Sequence, residues 1–343
     1  MFALPDGSDR VSGGNLYNAA LIAALHPLAS LRTLSLAACR AELARGVPGV
    51  YFIDSLDLEA FLAFPPPGPG QGLVLIVHHL PSLEPDLVPG HPALEIERAA
   101  LPRFDGFLAT SSFTSDWLAA RGLERRRILT VVPAMADADP RPAAGGGDGD
   151  ATAVRGLLVG NLIPRKSVRE LLATLAAGLR PDDRLSLEIV GRDDLDPGYA
   201  AACARLAGEH PALRARVSLD GVVPHQRMPE VYRRANLFIS ASRMETFGMA
   251  LQEARGQGLP ILALDAGYTR HHFTDGESGI LCQSLDGLVA QLLALAREPA
   301  RLRALMDRAR ASRPRAGDYR WSDAARRLLA ELARCGLGAA GQN

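Results

Sequence analysis

Short apolar runs recur along the chain, each ending in a polar turn and followed by a stretch with helical spacing. The run Leu73-Val74-Leu75-Ile76-Val77 is apolar at every position, as expected of a parallel strand buried on both faces. The pattern predicts further strands over 1–5, 31–37, 49–53, 104–110 and 128–133. After a break it predicts strands over 156–159, 185–190, 217–219, 237–239, 260–264 and 279–281. Between them, helical spacing is read over 16–25, 56–63, 95–101, 113–120, 168–177, 199–208, 228–234 and 249–255, then over 285–297 and 300–311. A last helix is expected from 319, with Ser322 as its N-cap, and Ser112 or Thr114 is expected to cap the helix over 113–120. Strands alternating with helices predict an α/β fold with parallel sheets.

The break falls at 139–152 (DPRPAAGGGDGDAT), which lacks apolar periodicity and holds three successive glycines, so it is expected to be a flexible linker. It divides 343 residues into halves of ordinary domain size, 1–138 and 153–318. Hydrophobic residues make up 48%, enough for two cores, and the formal net charge is zero, which leaves nucleic-acid binding without an electrostatic footprint. The four cysteines lie far apart with no C-x-x-C pair, as expected of idle thiols in a reducing compartment. No basic segment precedes an apolar core at the N-terminus, so no signal peptide is expected. The uncharged stretch 11–31 is interrupted by Gly13, Gly14, Asn15, Asn18, His26 and Pro27 and reads as a loop and buried helix rather than a membrane span. The protein is expected to be cytoplasmic. Peripheral contact with the inner face of a membrane stays open, the arginines of 121–127 (RGLERRR) fitting a solvated helix end better than a lipid surface.

Candidate chemistry concentrates at the ends of strands. Glu245 and Glu253 stand eight residues apart, the first near the start of a helix and the second along it. That spacing is too long for one metal or one proton, but it suits the two ends of an extended ligand. Between them Gly248 has no Cβ, so backbone amides at the helix start can approach an anion, while carboxylates accept hydrogen bonds from sugar hydroxyls. Hydroxyls, phosphate, hydroxyls describes a nucleotide sugar. Lys166, in Gly160-Asn161-Leu162-Ile163-Pro164-Arg165-Lys166, is the only lysine of the chain and a candidate phosphate ligand. His78 and His79 follow the buried strand directly, and Ser12-Gly13-Gly14-Asn15 opens the first helix, a turn through which a backbone can come close to a ligand.

The sequence Glu245-Thr246-Phe247-Gly248-Met249-Ala-Leu-Gln-Glu253 resembles the E-x7-E signature of family 4 glycosyltransferases, and looser similarity runs from about Ser12 to Leu332. The resemblance implies the GT-B architecture: two Rossmann-like domains facing a central cleft, with the last helix (about 319–335) returning to the first domain, where Trp321 matches a common aromatic. It implies a metal-independent, retaining transfer of a sugar from a nucleotide diphosphate donor to an acceptor hydroxyl, with no cofactor. Acceptors of the family include small molecules, lipid-linked compounds and glycans. By the same resemblance Glu245 and His78 contact the donor sugar, Glu253 the ribose, and Lys166 with the Phe247–Gly248 segment the diphosphate. Thr246 and Met249 flank that segment, and Gly13 and Gly14 border the phosphates. His79 and Ser112 line the acceptor side of the crevice. The chain departs from the family's pattern at Asn161, where an arginine is usual. Either Arg165 supplies the second charge, or the diphosphate rests on Lys166 and backbone amides. It departs again at Gly267-Tyr268 and His271, where Gly-Gly and a later Glu are usual, and at Ala134-Met135. Another GT-B activity (a nucleotide-sugar epimerase or sugar phosphorylase) and an inactive nucleotide-sugar-binding module remain as alternatives. A dinucleotide-dependent oxidoreductase is disfavoured, because no G-x-G-x-x-G follows the first strand.

Overall fold

A computed structural model of the chain describes residues 1–4, 12–135, 152–314 and 318–337. The expected linker, apart from Thr152, and residues 338–343 lie outside these. The described residues fall into two units: Met1–Ala134 with the segment from Tyr319 onward, and Met135–Asp318.

The first unit is built on six parallel strands: β1 (Phe2–Leu4), β2 (Thr33–Ser35), β3 (Gly49–Asp54), β4 (Gln71–Val77), β5 (Gly106–Ala109) and β6 (Ile128–Thr130). They lie in the order β2-β1-β3-β4-β5-β6. β3 and β4 pair in unbroken register from Gly49 opposite Gln71 to Asp54 opposite Ile76. β4 is buried from Gly72 to Val77, which is why it lacks any polar alternation. The helix Trp321–Arg334 belongs to this unit. Its Ala324, Ala325, Leu328 and Leu332 share a core with Tyr17, Leu21 and Leu25 of the helix Gly13–Leu25. Trp321 meets Tyr17 edge to face, with ring centroids 5.5 Å apart.

The second unit carries β7 (Val154–Val159), β8 (Leu185–Val190), β9 (Val217–Leu219), β10 (Leu237–Ser240), β11 (Ile261–Leu264) and β12 (Gly279–Cys282). Their order is β12-β11-β10-β7-β8-β9, again all parallel. Successive side chains pass to opposite faces: Leu158, Leu237 and Ile239 join one core, Leu157 and Phe238 the other. With helices on both faces, each inner strand has two apolar sides. Chain order reverses between β7 and β10. In open α/β sheets ligands bind at such a switch point, outside the carboxyl ends of the strands.

Several local expectations are corrected. Residues 36–37 open a helix, Leu36–Ala44, because Ser35 accepts from the Ala38 amide and caps it. Gly13 and Gly14 form the first turn of their helix instead of preceding it, since Ser12, in extended conformation, accepts from Asn15 N. The helix Ser112–Ala120 is capped by Ser111, whose hydroxyl accepts from Thr114 N, so neither Ser112 nor Thr114 is the cap. Ser322 lies inside the last helix, whose start is held by the Asp323 carboxylate accepting from Arg320 N. The helix carrying Glu253 runs Met249–Gly256, leaving Glu245 four residues upstream in the loop.

Candidate functional site

In the second unit the two loops at the switch point meet through charge. β7 is followed by a short turn that places Lys166, and β10 by the loop that places Glu245. Lys166 Nζ lies 2.5 Å from Glu245 Oε1, and both side chains are largely buried. Arg165, one residue earlier, donates from Nη1 to the Met244 carbonyl at 2.7 Å. Burial alone would raise the pKa of Glu245. The Lys166 ammonium and the Arg165 guanidinium outweigh it, with a hydrogen bond from Ser242, and hold the carboxyl at about 2. Glu245 is therefore a fixed anion flanked by two cations, and the cluster retains positive charge. The aliphatic stem of Lys166 runs over Gly160, while Asn161 turns the chain by accepting from Ile163 N.

After Glu245 come Thr246, Phe247 and Gly248. Gly248 has φ +94° and, as the N-cap, brings no side chain to the helix that begins at Met249. The first-turn amides of that helix carry partial positive charge. Phe247 is buried, stacks on Tyr268 at 5.4 Å, and meets His272 edge to face at 5.0 Å. Tyr268 in turn stacks on His271 at 4.4 Å. Gly267 lets this second loop close against the first: a Cβ there would lie 2.2 Å from the Glu245 carbonyl oxygen, and Tyr268 N donates to that oxygen at 2.8 Å.

Glu253 is held differently. Its Oε2 accepts from the hydroxyl of buried Tyr232 at 2.6 Å. Burial raises its pKa against the lowering effects of that hydrogen bond and of His225. Of two carboxylates on one loop and helix, one is a locked anion and the other takes a proton more readily than usual.

The first unit brings its own polar group to the strand ends. His78 follows β4, and its Nε2 lies 2.9 Å from Asn18 Oδ1 and 3.5 Å from Asp54 Oδ2. Asn18 Nδ2 donates to Asp54 Oδ2 at 2.9 Å, so its Oδ1 is the acceptor and His78 Nε2 carries the proton. Burial lowers the pKa of His78 and Asp54 opposes the shift. The imidazole packs on Gly14, where a Cβ would come within 3.0 Å of the ring, and edge to face on Tyr17. The amides of His78 and His79 both donate to Ser55 Oγ. The side chain of His79 leaves this group, placing Nε2 2.8 Å from Glu84. Gly13 and Ser112 are exposed on the first turns of their helices.

Lys166, Arg165 and Glu245 thus come together, as do Gly14 and His78, while His79 and Ser112 join neither group. Sequence reasoning missed Asn18, Asp54, Tyr232 and His272. Asn18 had a signal, as a polar residue four after Gly14 on an apolar helix, and so did Asp54, an acid closing an apolar strand. Among the described residues no group of three or more His, Cys, Asp or Glu side chains is placed to hold a metal ion. None of their helices is long and apolar enough to cross a membrane.

Two six-stranded parallel α/β units, the second with its charged loops at a switch point, define the fold of GT-B glycosyltransferases. Residues 154–298 match the family model described as Glycosyl transferases group 1. The chain is 31% identical over 286 residues to D-inositol 3-phosphate glycosyltransferase 1 of Catenulispora acidiphila, an alignment covering 76% of this chain and 66% of that protein. It spans between 38% and 66% of the length of the first curated relatives it matches. Among solved structures, Anabaena HepE in complex with UDP-glucose superposes with TM-score 0.74 at 15% identity, over 97% of this chain and 99% of that one. A sucrose-phosphate synthase from Thermosynechococcus elongatus superposes with TM-score 0.72 at 19% identity, over 97% and 98%.

Proposed function

We propose that the protein is a retaining glycosyltransferase of the family 4 type, moving a sugar from a nucleoside diphosphate donor to an acceptor hydroxyl. The observation that carries this reading is the Lys166–Glu245 pair, which joins the loops after β7 and β10 across the switch point beside a helix start whose N-cap is a glycine. A diphosphate would take Lys166 and the amides at Gly248 and Met249, with Arg165 as reserve charge. Glu253 would accept from the ribose hydroxyls, and Glu245, released in part from Lys166, from the hydroxyls of the sugar. These cations would stabilise the leaving diphosphate as the glycosidic bond breaks, without a metal. The acceptor oxygen attacks from the face the diphosphate leaves, its proton passing to a phosphate oxygen, so retention needs no protein nucleophile. The first unit would supply the acceptor side, and His78 would contact the donor sugar near the reacting centre, as the family resemblance implies. The UDP-glucose complex of HepE supports a nucleotide-sugar donor, and the named activity of the Catenulispora relative supports glycosyl transfer.

The test is thermal stabilisation by UDP, GDP, ADP, dTDP and their sugars. A ligand at 100 times its Kd adds about 2.7 kcal/mol of stability. One base should be preferred, and Lys166→Ala should abolish the shift. Activity on the preferred donor should survive EDTA. Stabilisation by none of them, with no release of sugar from any donor, would sink the reading.

A further inference from the structure

His272 is one of the most buried polar side chains of the second unit, 3% exposed, and no step of the reaction proposed above uses it. Its Nε2 lies 2.6 Å from the carbonyl oxygen of Phe247. A carbonyl oxygen only accepts, so Nε2 carries the proton and the imidazole is the donor. Phe247, Tyr268 and the Gly248 backbone enclose the ring: Phe247 and Tyr268 meet it edge to face, and a Cβ on Gly248 would stand 3.4 Å from Nε2. Burial lowers its pKa to about 4, with the Phe247 carbonyl and Glu245 opposing the shift and Arg255 and His271 adding to it. At neutral pH the ring is therefore uncharged and keeps a single orientation.

The carbonyl it holds belongs to the peptide that joins Phe247 to Gly248. No peptide bond among the described residues is cis. In a trans peptide the C=O and N–H point to opposite sides of the plane, so anchoring the oxygen fixes the direction of the hydrogen. Gly248 is the residue most in need of such an anchor. At φ +94° and without a Cβ, it has a wider choice of backbone angles than any other residue type would have there. A glycine peptide left to itself would rotate, and a rotated peptide would present its carbonyl, not its amide, to an anion.

We infer that His272 is a positioning residue for the donor diphosphate, pinning the Phe247–Gly248 peptide so that the Gly248 amide stays turned away from the imidazole and toward the phosphate. The inference rests on the nucleotide-sugar reading of this site. It makes a claim that a merely structural histidine would not satisfy: removing the donor at Nε2 should cost affinity for the diphosphate and leave affinity for the nucleoside unchanged.

Calorimetric titration of the full chain with UDP, GDP, ADP and dTDP, each beside its own nucleoside, gives the diphosphate-over-nucleoside preference. Three variants separate the roles. His272→Gln places an amide donor near the Nε2 position, His272→Asn places one too short to reach, and His272→Leu has none. A hydrogen bond that orients a donor onto a charged group is worth about tenfold or more in affinity. The preference should therefore fall about tenfold in His272→Asn and His272→Leu and be restored in His272→Gln, with nucleoside affinity constant throughout. If His272→Leu does not fold, the Gln and Asn pair carries the comparison alone. An unchanged preference in His272→Asn overturns the inference, and so does an equal loss for nucleoside and diphosphate in all variants. A wild-type chain that binds no diphosphate better than its nucleoside removes the nucleotide-sugar reading itself, and the inference falls with it.

Discussion

Glu245 and Glu253 share a chemical type and differ in fate because of what surrounds each. Two cations face Glu245, whereas a phenol and burial face Glu253. The consequences for pH have opposite signs. The folded pKa of Glu245, about 2, lies below its ordinary 4.5, so its contribution to stability is complete above 4.5 and is lost as pH falls toward 2. The folded pKa of Glu253 is raised, so ribose binding, which needs a carboxylate acceptor, should strengthen as pH rises from acid to neutral. Glu253→Gln should flatten that dependence in a titration series, and Glu253→Ala should weaken nucleotide binding at every pH. His272 acts on stability in a third window. Its folded pKa near 4 lies below 6.5, so the native state should lose stability as pH falls from 6.5 through 4. Denaturant midpoints measured across that range should show the loss in the wild type and a smaller one in His272→Gln. In the first unit His78→Ala should lower kcat well beyond its effect on nucleotide affinity. Equal losses in both would place His78 in donor binding instead.

At the scale of elements, most strands were legible because each is an apolar run long enough to stand out, and β8 and β9 fall where the pattern put them. The helix Leu36–Ala44 was not, because its buried face holds only Cys39, Glu42 and Leu43 and its sequence follows a strand without a break. Lys166 and Glu245 were legible singly, by rarity and by motif, but their contact spans 79 residues and no local pattern records it. Tyr232 sits 21 residues before Glu253 on a helix that looks merely amphipathic, and His272 lies in a loop whose neighbour His271 drew attention instead. Gly267 shows how tightly two such loops fit. Gly267→Ala would put a methyl group against the Glu245 carbonyl at a φ of +60°. Overpacking of this kind costs ~1–3 kcal/mol, and the backbone strain adds to it. Its thermal midpoint should fall and its nucleotide-induced shift should shrink. A shift of full size would mean that the loop after β11 does not support the site.

At the scale of the whole molecule, the second unit is continuous in sequence and the first is not. Four small or apolar side chains of the last helix complete the core around Tyr17 and Leu21. A chain ending at Asp318 would lose them and expose Tyr17, Leu21 and Leu25. Burying one such side chain is worth about 1.5–3 kcal/mol, so the loss is comparable with the stability of an average domain. The truncated chain should melt in two steps, the first unit early, with the nucleotide-dependent shift preserved in the later one. A single cooperative transition at the wild-type midpoint would contradict this account of the core.

Lys166 is the only lysine, so the chain carries a single side-chain amine, and that amine sits in the charged cluster. Acylation chemistry, which on most proteins reports a scattered surface, would here report one side-chain position beside the α-amine of Met1. The ion pair with Glu245 and the burial of Lys166 restrict access to its amine, and a bound diphosphate would shield it further. Replacing Glu245 with glutamine should make it react faster than in the wild type. Mass spectrometry of the modified peptide would then read occupancy of the site directly, with no donor, acceptor or turnover assay.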